Sequence, residues 1–141
     1  MIRKALVSDI DVINKLGLLL DASFKEKNDL STLIHNDVYS IYVIEDNGDI
    51  CGFIMVTELY EVMDLLYIVV DPSYQHQGFG TQLLNYAILN KKTDVNKIML
   101  EVRCNNMNAI NFYKKNSFNQ INIRKNYYDN NIDAIIMERS I

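Results

Sequence analysis

A loop with two closely spaced glycines is the first feature of this sequence that could do chemistry. Residues 75–81 read QHQGFGT, and Gly78 and Gly80 separate a run of β-branched residues from a leucine-bearing helical pattern. Glycine lets the backbone come close to a ligand, and the free N–H groups at a helix N-terminus attract negative charge. The loop has no lysine or arginine. Two interpretations stay open: a diphosphate cradle made by the backbone N–H groups of residues 77–81, or a glycine-eased turn before a surface helix.

Two well-known phosphate-binding loops do not fit this spacing. A nucleoside-triphosphate loop needs four residues between its glycines, followed by Lys and Ser or Thr, whereas a single residue separates Gly78 from Gly80. A dinucleotide fingerprint needs a third small residue three positions after Gly80 and an upstream βαβ unit. This chain has Leu83 at that position. A cradle without a lysine suits a diphosphate that is held and not cleaved.

The elements around this loop follow from hydrophobic periodicity and turn residues. Asn47-Gly48 predicts a tight hairpin, because both residues tolerate positive φ. Ser8 resembles a helix N-cap, and the residues from 12 to 20 recur with helical period. A short helix is predicted at 30–34, within the polar segment 21–36. Strands are predicted at 2–6, 39–44, 50–57, 62–70, 97–102, 120–127 and 133–138, and longer helices at 80–90 and 106–115.

The order of these elements predicts the fold class. They follow one another as β-α-(α)-β-β-β-α-β-α-β-β, which is the pattern of an α/β fold in which helices pack on a mixed sheet. No repeat, linker or low-complexity block interrupts the 141 residues, and 49% of them are hydrophobic. We therefore expect one domain spanning residues 1–141.

Composition excludes several classes of function. A net charge of −4 argues against a nucleic-acid-binding face and suits an amine-bearing partner better. No apolar stretch is long enough to span a membrane, and no export signal opens the chain. Together with only two cysteines, this predicts a cytoplasmic protein with reduced thiols. Cys51 and Cys104 have no metal-ligand spacing with His35 or His76, so no metal is expected.

Three blocks of sequence resemble the GCN5-related N-acetyltransferase (GNAT) superfamily. Residues 75–80 (QHQGFG) match its Q/R-x-x-G-x-G/A pattern. Residues 100–103 (LEVR) are followed by N-x-x-A-I-x-x-Y over 106–113, and residues 124–128 (RKNYY) by DAIIM over 133–137. Together, over residues 62–139, the blocks resemble bacterial ribosomal-protein-alanine N-acetyltransferases, which modify the N-terminal alanine of a small-subunit ribosomal protein. The resemblance implies a mostly antiparallel sheet whose fourth and fifth strands splay apart, with helices on both faces.

The resemblance also implies acetyl-CoA as co-substrate. The glycine loop would hold its pyrophosphate, and the splayed fourth strand would pair with the pantetheine arm. An asparagine at the start of the next helix would add a hydrogen bond, although plain helix capping explains that residue equally well and Asn108 is a rival for the position. The implied cofactor-binding residues are Ile68, Val69, Val70, Gln75, His76, Gln77, Gly78, Phe79, Gly80, Thr81 and Asn106.

Two side chains match the catalytic positions of these enzymes. Glu101 would remove the proton of the acceptor amine through a water, and Tyr113 would protonate the departing thiolate. Strand alternation places Glu101 opposite the apolar residues of its strand, facing either a cleft or plain solvent. Tyr113 shares a helical face with apolar residues, so it could equally be a core aromatic. A ping-pong route through Cys104 is the weaker alternative, because no histidine lies nearby in sequence to activate it.

The acceptor is the most open part of this interpretation. A peptide α-amine, with a pKa of about 7.7–8.0, is far easier to deprotonate than a lysine ε-amine at about 10.4, so we expect direct transfer to a protein N-terminus in a ternary complex. A small amine is the first alternative, and a non-catalytic acyl-CoA sensor is the second. We expect a monomer or weak homodimer. Departures from the family pattern are Ser117 in place of a glycine, 130–132 (NNI) in the last loop, and the absence of tryptophan.

Overall fold

A seven-stranded sheet with helices on both faces makes up the fold. The structure is a computed structural model that describes residues 1–141. The strands are β1 (Ile2–Lys4), β2 (Tyr39–Asp46), β3 (Asp49–Leu59), β4 (Val62–Val70), β5 (Lys97–Arg103), β6 (Asn119–Tyr128) and β7 (Ile132–Ser140). The helices are α1 (Ile10–Gly17), α2 (Phe24–Lys27), α3 (Leu30–Leu33), α4 (Phe79–Leu89) and α5 (Met107–Lys115).

The strands lie in the order β1-β2-β3-β4-β5-β7-β6. Every neighbouring pair is antiparallel except β4 and β5, which run parallel. That parallel pairing covers only three residue pairs, from Val62 with Lys97 to Asp64 with Met99. Beyond Asp64 the two strands have no paired residues. The predicted mixed, mostly antiparallel sheet with splayed fourth and fifth strands is confirmed.

Alternating side chains give the sheet two apolar faces, each covered by helices. On the α4/α5 face, Leu83 and Leu84 from α4 and Ile110 from α5 pack on Ile54 and Ile98 of the sheet. On the opposite face, called the α1–α3 face, the three N-terminal helices pack over β2, β3 and β4, burying Ile13, Phe24, Leu30, Val43, Phe53 and Val69. The α1–α3 cluster does not include residues of β5, so this part of the face stays open.

Local signals were correct at the hairpin and partly wrong at the first helix. Asn47 and Gly48 both have positive φ (52° and 83°) and join β2 to β3, as predicted. Ser8 does not cap a helix: it lies inside a 3-10 turn, and the Asp9 carboxylate accepts the Leu6 N–H at 2.7 Å instead. Asp9 is further held by Arg3 at 2.7 Å, a tertiary contact that a local pattern does not contain.

Gly17 at the end of α1 is required by its neighbour. A Cβ at this position would overlap the ring of Phe24, which is fully buried and packs edge-on against Phe53 and Tyr67. Gly17→Ala is therefore expected to lower the free energy of unfolding by about 1–3 kcal/mol, as overpacking does. At an unobstructed helix position the same change would raise it by about 1 kcal/mol. The sign of the change in urea denaturation decides, and Phe24→Leu in the same chain is expected to recover part of the loss.

Candidate active site

The gap between β4 and β5 is the most unusual feature of the sheet, and local structure creates it. Leu66 is an extra residue in β4, because Val56 of β3 pairs with Leu65 while Met55 pairs with Tyr67. A bulge of this kind bends a strand and re-aims its side chains. Leu66 lies two residues after Asp64, the last residue of β4 that pairs with β5. The bulge thus bends β4 just beyond the point where the two halves of the sheet stop pairing.

The edge of β4 that lines this gap carries backbone groups without strand partners. The Val69 carbonyl is directed at β3, since a Cβ on Gly52 would lie 2.7 Å from its oxygen, and the Asp71 N–H bonds Cys51 O at 2.8 Å. Because successive residues of a strand point to opposite sides, the groups of Ile68 and Val70 are directed into the gap. The Val70 carbonyl accepts the Gln75 side chain at 3.1 Å. Of the three strand residues implied by the resemblance, Ile68 and Val70 face the gap and Val69 does not.

The glycine loop presents a row of free donors beside this gap. The backbone N–H groups of residues 76–81, six in succession, have no acceptor within the chain. His76 and Gly78 have positive φ (64° and 80°), which turns successive N–H groups to the same side and forms an anion-binding concavity. Gly78 is also the N-cap of α4. Nothing lies within 4 Å of a Cβ built on Gly78, so the space over the loop is open.

The remaining loop residues support this arrangement from below. Gly80 packs closely on α5, because a Cβ there would lie 3.1 Å from the ring of Phe112. The Phe79 ring stacks on Tyr74, with centroids 6.0 Å apart. Gln75 does not contribute a free amide, because its N–H bonds Pro72 O and its side chain ties the loop to β4. The backbone N–H of Thr81 is the last of the free donors.

Glu101 lies in a groove on the other side of the gap. It extends from β5 on the α1–α3 face, opposite Leu100 and Val102, which belong to the α4/α5 core. The groove has a volume of about 590 Å³ and continues along β4 and β6. The side chain of Glu101 is 33% exposed, and its Oε1 is 3.5 Å from Nη1 of Arg124. The structure therefore places Glu101 in a cleft and not on a plain surface strand.

Tyr113 belongs to the core on the α4/α5 face of the sheet. It is 8% exposed and packs edge-on against Phe112 and Phe118. Burial, with a smaller effect of Tyr128, raises the pKa of Tyr113 to about 12. Its hydroxyl forms no hydrogen bond within the chain, and the hydroxyl oxygen is not completely buried. The α4/α5 core thus holds a neutral phenol with a free donor, on the opposite face of the sheet from Glu101.

Three groove residues were not predicted as site residues. Arg124 pairs with Glu101, Tyr128 lies under the Arg103 guanidinium at 4.3 Å, and Asp64 projects from β4 on the same face as Glu101. Burial, then Glu101, raises the pKa of both Tyr128 and Asp64. The signal for Arg124 and Tyr128 was present in the third sequence block, in which both residues occur.

Asn106 and Ser117 lie at the two ends of α5. The Asn106 side chain accepts the Ala109 N–H at 3.1 Å and caps α5, so the cap lies at Asn106 and not at Asn108. Ser117 adopts φ of 72° after α5 in place of the family's glycine.

No group of three or more His, Cys, Asp or Glu side chains could hold a metal ion. None of the helices has both the length and the apolar character needed to cross a membrane.

Comparison with known proteins gives consistent results. Residues 10–118 match the model of the Acetyltransferase (GNAT) family. The [ribosomal protein bS18]-alanine N-acetyltransferase of Escherichia coli (strain K12) is 39% identical over 103 residues, which cover 70% of each chain. The crystal structure of the E. coli ribosomal-protein-S18-alanine N-acetyltransferase superposes with a TM-score of 0.87 at 30% identity, covering 100% of this chain and 93% of that one. A GNAT family acetyltransferase from Elizabethkingia anophelis with acetyl-CoA bound gives a TM-score of 0.83 at 22% identity, covering 100% and 97%.

Proposed function

Because this chain belongs to the GNAT acetyltransferase family, we propose that it transfers the acetyl group of acetyl-CoA directly to the N-terminal α-amine of a protein. The observation that carries the proposal is the arrangement around the gap between β4 and β5. A carboxylate, Glu101, lies on one face of β5, and a neutral phenol, Tyr113, lies on the other. A thioester held in the gap would lie between these two faces.

The donor would be held mainly by backbone. The free N–H groups of residues 76–81 suit a diphosphate, and the dipole of α4 adds to them. The backbone groups of Ile68 and the N–H of Val70 could pair with the amide-bearing pantetheine arm along the open edge of β4. The amide nitrogen of Asn106 stays free to donate, because the capping bond uses only its oxygen. Recognition of the donor would therefore depend mainly on backbone groups, which a residue of any type carries. Glycines stand where the ligand comes closest to the backbone.

Each catalytic side chain would move one proton. Glu101 takes a proton from the acceptor ammonium through a bridging water, and the neutral amine attacks the thioester carbon. As the new C–N bond forms and the C–S bond breaks, the Tyr113 hydroxyl gives its proton to the departing thiolate, and the second proton that the acetylated nitrogen loses would pass through water to the Tyr113 phenolate. The α-amine itself is a good match for a carboxylate base, because with a pKa of about 7.7–8.0 a sizeable fraction is already neutral near pH 7.

An acceptor assay tests the choice of substrate. Peptides that begin with alanine are expected to be acetylated with a higher kcat/KM than spermidine, free amino acids or an aminoglycoside, because a relative with 39% identity is named a [ribosomal protein bS18]-alanine N-acetyltransferase. Mass spectrometry of the product should place the acetyl group on the α-nitrogen. Faster turnover of a small amine would overturn the acceptor and leave the acetyltransferase chemistry standing. Binding of acetyl-CoA without turnover of any acceptor would instead favour a sensor.

Thermal unfolding tests the donor site without any acceptor. Acetyl-CoA at 100 times its Kd should add about 2.7 kcal/mol to the free energy of unfolding. Acetyl-pantetheine, which lacks the diphosphate and the nucleotide, is expected to stabilise the protein much less at the same concentration. Equal shifts with the two ligands would contradict the assignment of the diphosphate to the amides of residues 76–81.

A further inference from the structure

A cavity at the far end of α4 has no part in the site described above. It has a volume of about 810 Å³ and lies between β2, the end of β3, segment 34–37 and the residues that follow α4. It shares no residue with the groove around Glu101. Of the side chains that line it, Tyr42 and Glu58 are each only 5% exposed. Buried polar groups at the wall of a cavity of ligand size are characteristic of a binding site.

Three polar side chains of this cavity come together on a face of the sheet that is otherwise apolar. Tyr42 and Val56 belong to the α4/α5 core. Ser40 is directly opposite Val56 in the register of β2 with β3, and Glu58 follows Val56 by two residues, so both lie on that face. Burial raises the pKa of the Tyr42 phenol, the Ser40 hydroxyl opposes this rise, and the charge of Glu58 adds to it. The three groups are therefore close neighbours.

Glu58 carries a charge for which the chain has no cation. Its Oε2 atom accepts the backbone N–H of Lys92 at 2.6 Å, and its carboxylate forms no ion pair. Its Oε1 atom has no hydrogen-bond partner and is not completely buried, so it is open to the cavity. A buried carboxylate is normally paired, because removing its charge from water is costly. A cation that arrives with a ligand would complete this arrangement.

The lysine and arginine side chains that line the cavity are engaged elsewhere or lie too far away. Lys92 donates its ammonium group to the Asp37 carbonyl at 3.0 Å. Arg3 is paired with two other carboxylates, each at 2.7 Å. Lys4 is exposed, and strand geometry puts its Cα atom roughly 16 Å from that of Glu58. The electronegative last turn of α4 has no basic residue either, so the cavity favours a positively charged ligand.

We propose that this cavity binds the primary ammonium group of a small molecule. An ammonium group has three N–H donors, and the cavity offers three acceptors: the free carboxylate oxygen of Glu58 and the hydroxyls of Tyr42 and Ser40. A small molecule fits better than a partner protein, because none of the large exposed apolar side chains lines the cavity to anchor an interface. The inference does not depend on the proposed function.

A titration followed by NMR tests the site in the absence of acetyl-CoA. The probes are n-butylammonium, 1-butanol, which has the same chain without the charge, and tetramethylammonium, which has the charge without an N–H. Butylammonium is expected to shift the backbone amide signals of Ser40, Tyr42 and Glu58 saturably. It should bind at least about 10-fold more tightly than either of the other probes.

Variants of the protein locate the bound ammonium group. Glu58→Gln keeps an oxygen for the Lys92 N–H and is expected to weaken butylammonium binding by about 10-fold or more. Tyr42→Phe removes one acceptor and should weaken binding by about 5-fold. Glu61→Gln removes the same charge from the exposed turn that follows β3 and should bind as wild type, as should Glu101→Gln. Dispersed NMR spectra show that each variant is folded.

Each of three results would overturn the proposal. Equal binding of butylammonium and 1-butanol, or no saturable shift with either, would show that the cavity does not recognise a cation. Tetramethylammonium that binds as tightly as butylammonium would show that N–H donation has no role. Shifts confined to the groove, lost in Glu101→Gln and kept in Glu58→Gln, would assign the ammonium to the acceptor site instead. If Glu58→Gln does not fold, the comparison of the probes on wild type and on Tyr42→Phe decides.

Discussion

Replacing Glu101 by Gln is expected to lower kcat/KM by about 10²–10⁴-fold, the range that a positioned general base contributes. Glutamine keeps the shape of the side chain and a hydrogen-bonding oxygen, but it cannot accept the proton of the acceptor ammonium. Because the side chain is one-third exposed and its only ion pair is the 3.5 Å contact with Arg124, the fold should be little affected. Steady-state kinetics with an alanine-initiated peptide measures the loss.

The pH dependence separates a lost base from a disturbed groove. As pH rises through the acceptor pKa of about 7.7–8.0, more of the α-amine is neutral without help, so the deficit of Glu101→Gln should shrink between pH 7 and pH 9. Glu61→Gln, at the exposed turn between β3 and β4, is the matched control and should behave as wild type. A deficit that stays constant with pH, or no deficit at all, would remove Glu101 from the role of base.

Tyr113→Phe is expected to lower kcat by about 10²-fold through loss of the proton donor to the leaving thiolate. The phenol has a pKa of about 12, so it stays protonated at every pH at which the enzyme can be assayed, and the pH profile should keep its shape in the variant. Stability should hardly change, because the hydroxyl has no hydrogen-bond partner to leave unpaired.

Tyr86→Phe serves as the control, because it removes the same atom from a half-buried tyrosine of α4. The ring of Tyr86 packs against Tyr42 of β2. Full turnover of Tyr113→Phe with an unchanged donor Kd would show that Tyr113 is only a core aromatic. A loss confined to the KM for acetyl-CoA would point to donor binding and would equally contradict the role of proton donor.

Much of the fold could be predicted because its signals are local. The Asn47-Gly48 turn, the apolar residues that follow Asp64 in β4 and the leucine face of α4 each depend on a few neighbouring residues. The first helix was mispredicted at its start because Asp9 is fixed by Arg3 of β1, which also donates to Glu45. At the end of α5, Ser117 itself takes the left-handed position at which the family pattern has a glycine.

The residues of the site likewise divide into those with a local sequence signal and those without one. The glycine loop and the Asn106 cap are short-range patterns, and the structure gives both the geometry that those patterns predict. Asp64 was missed because nothing in its own neighbourhood marks it. It becomes part of the groove only through the register with Met99, a residue that lies 35 positions along the chain, and through the bulge at Leu66 that bends β4. Such pairings depend on tertiary structure, which a single sequence does not display.

The opening between β4 and β5 has a consequence for the order of binding. The donor loop at the start of α4 and the groove around Glu101 lie on different sides of the sheet and are connected through this opening. Donor and acceptor can therefore bind and dissociate independently, and neither has to leave before the other binds. Because both can be bound at the same time, the acetyl group does not have to be held on Cys104 between two binding events.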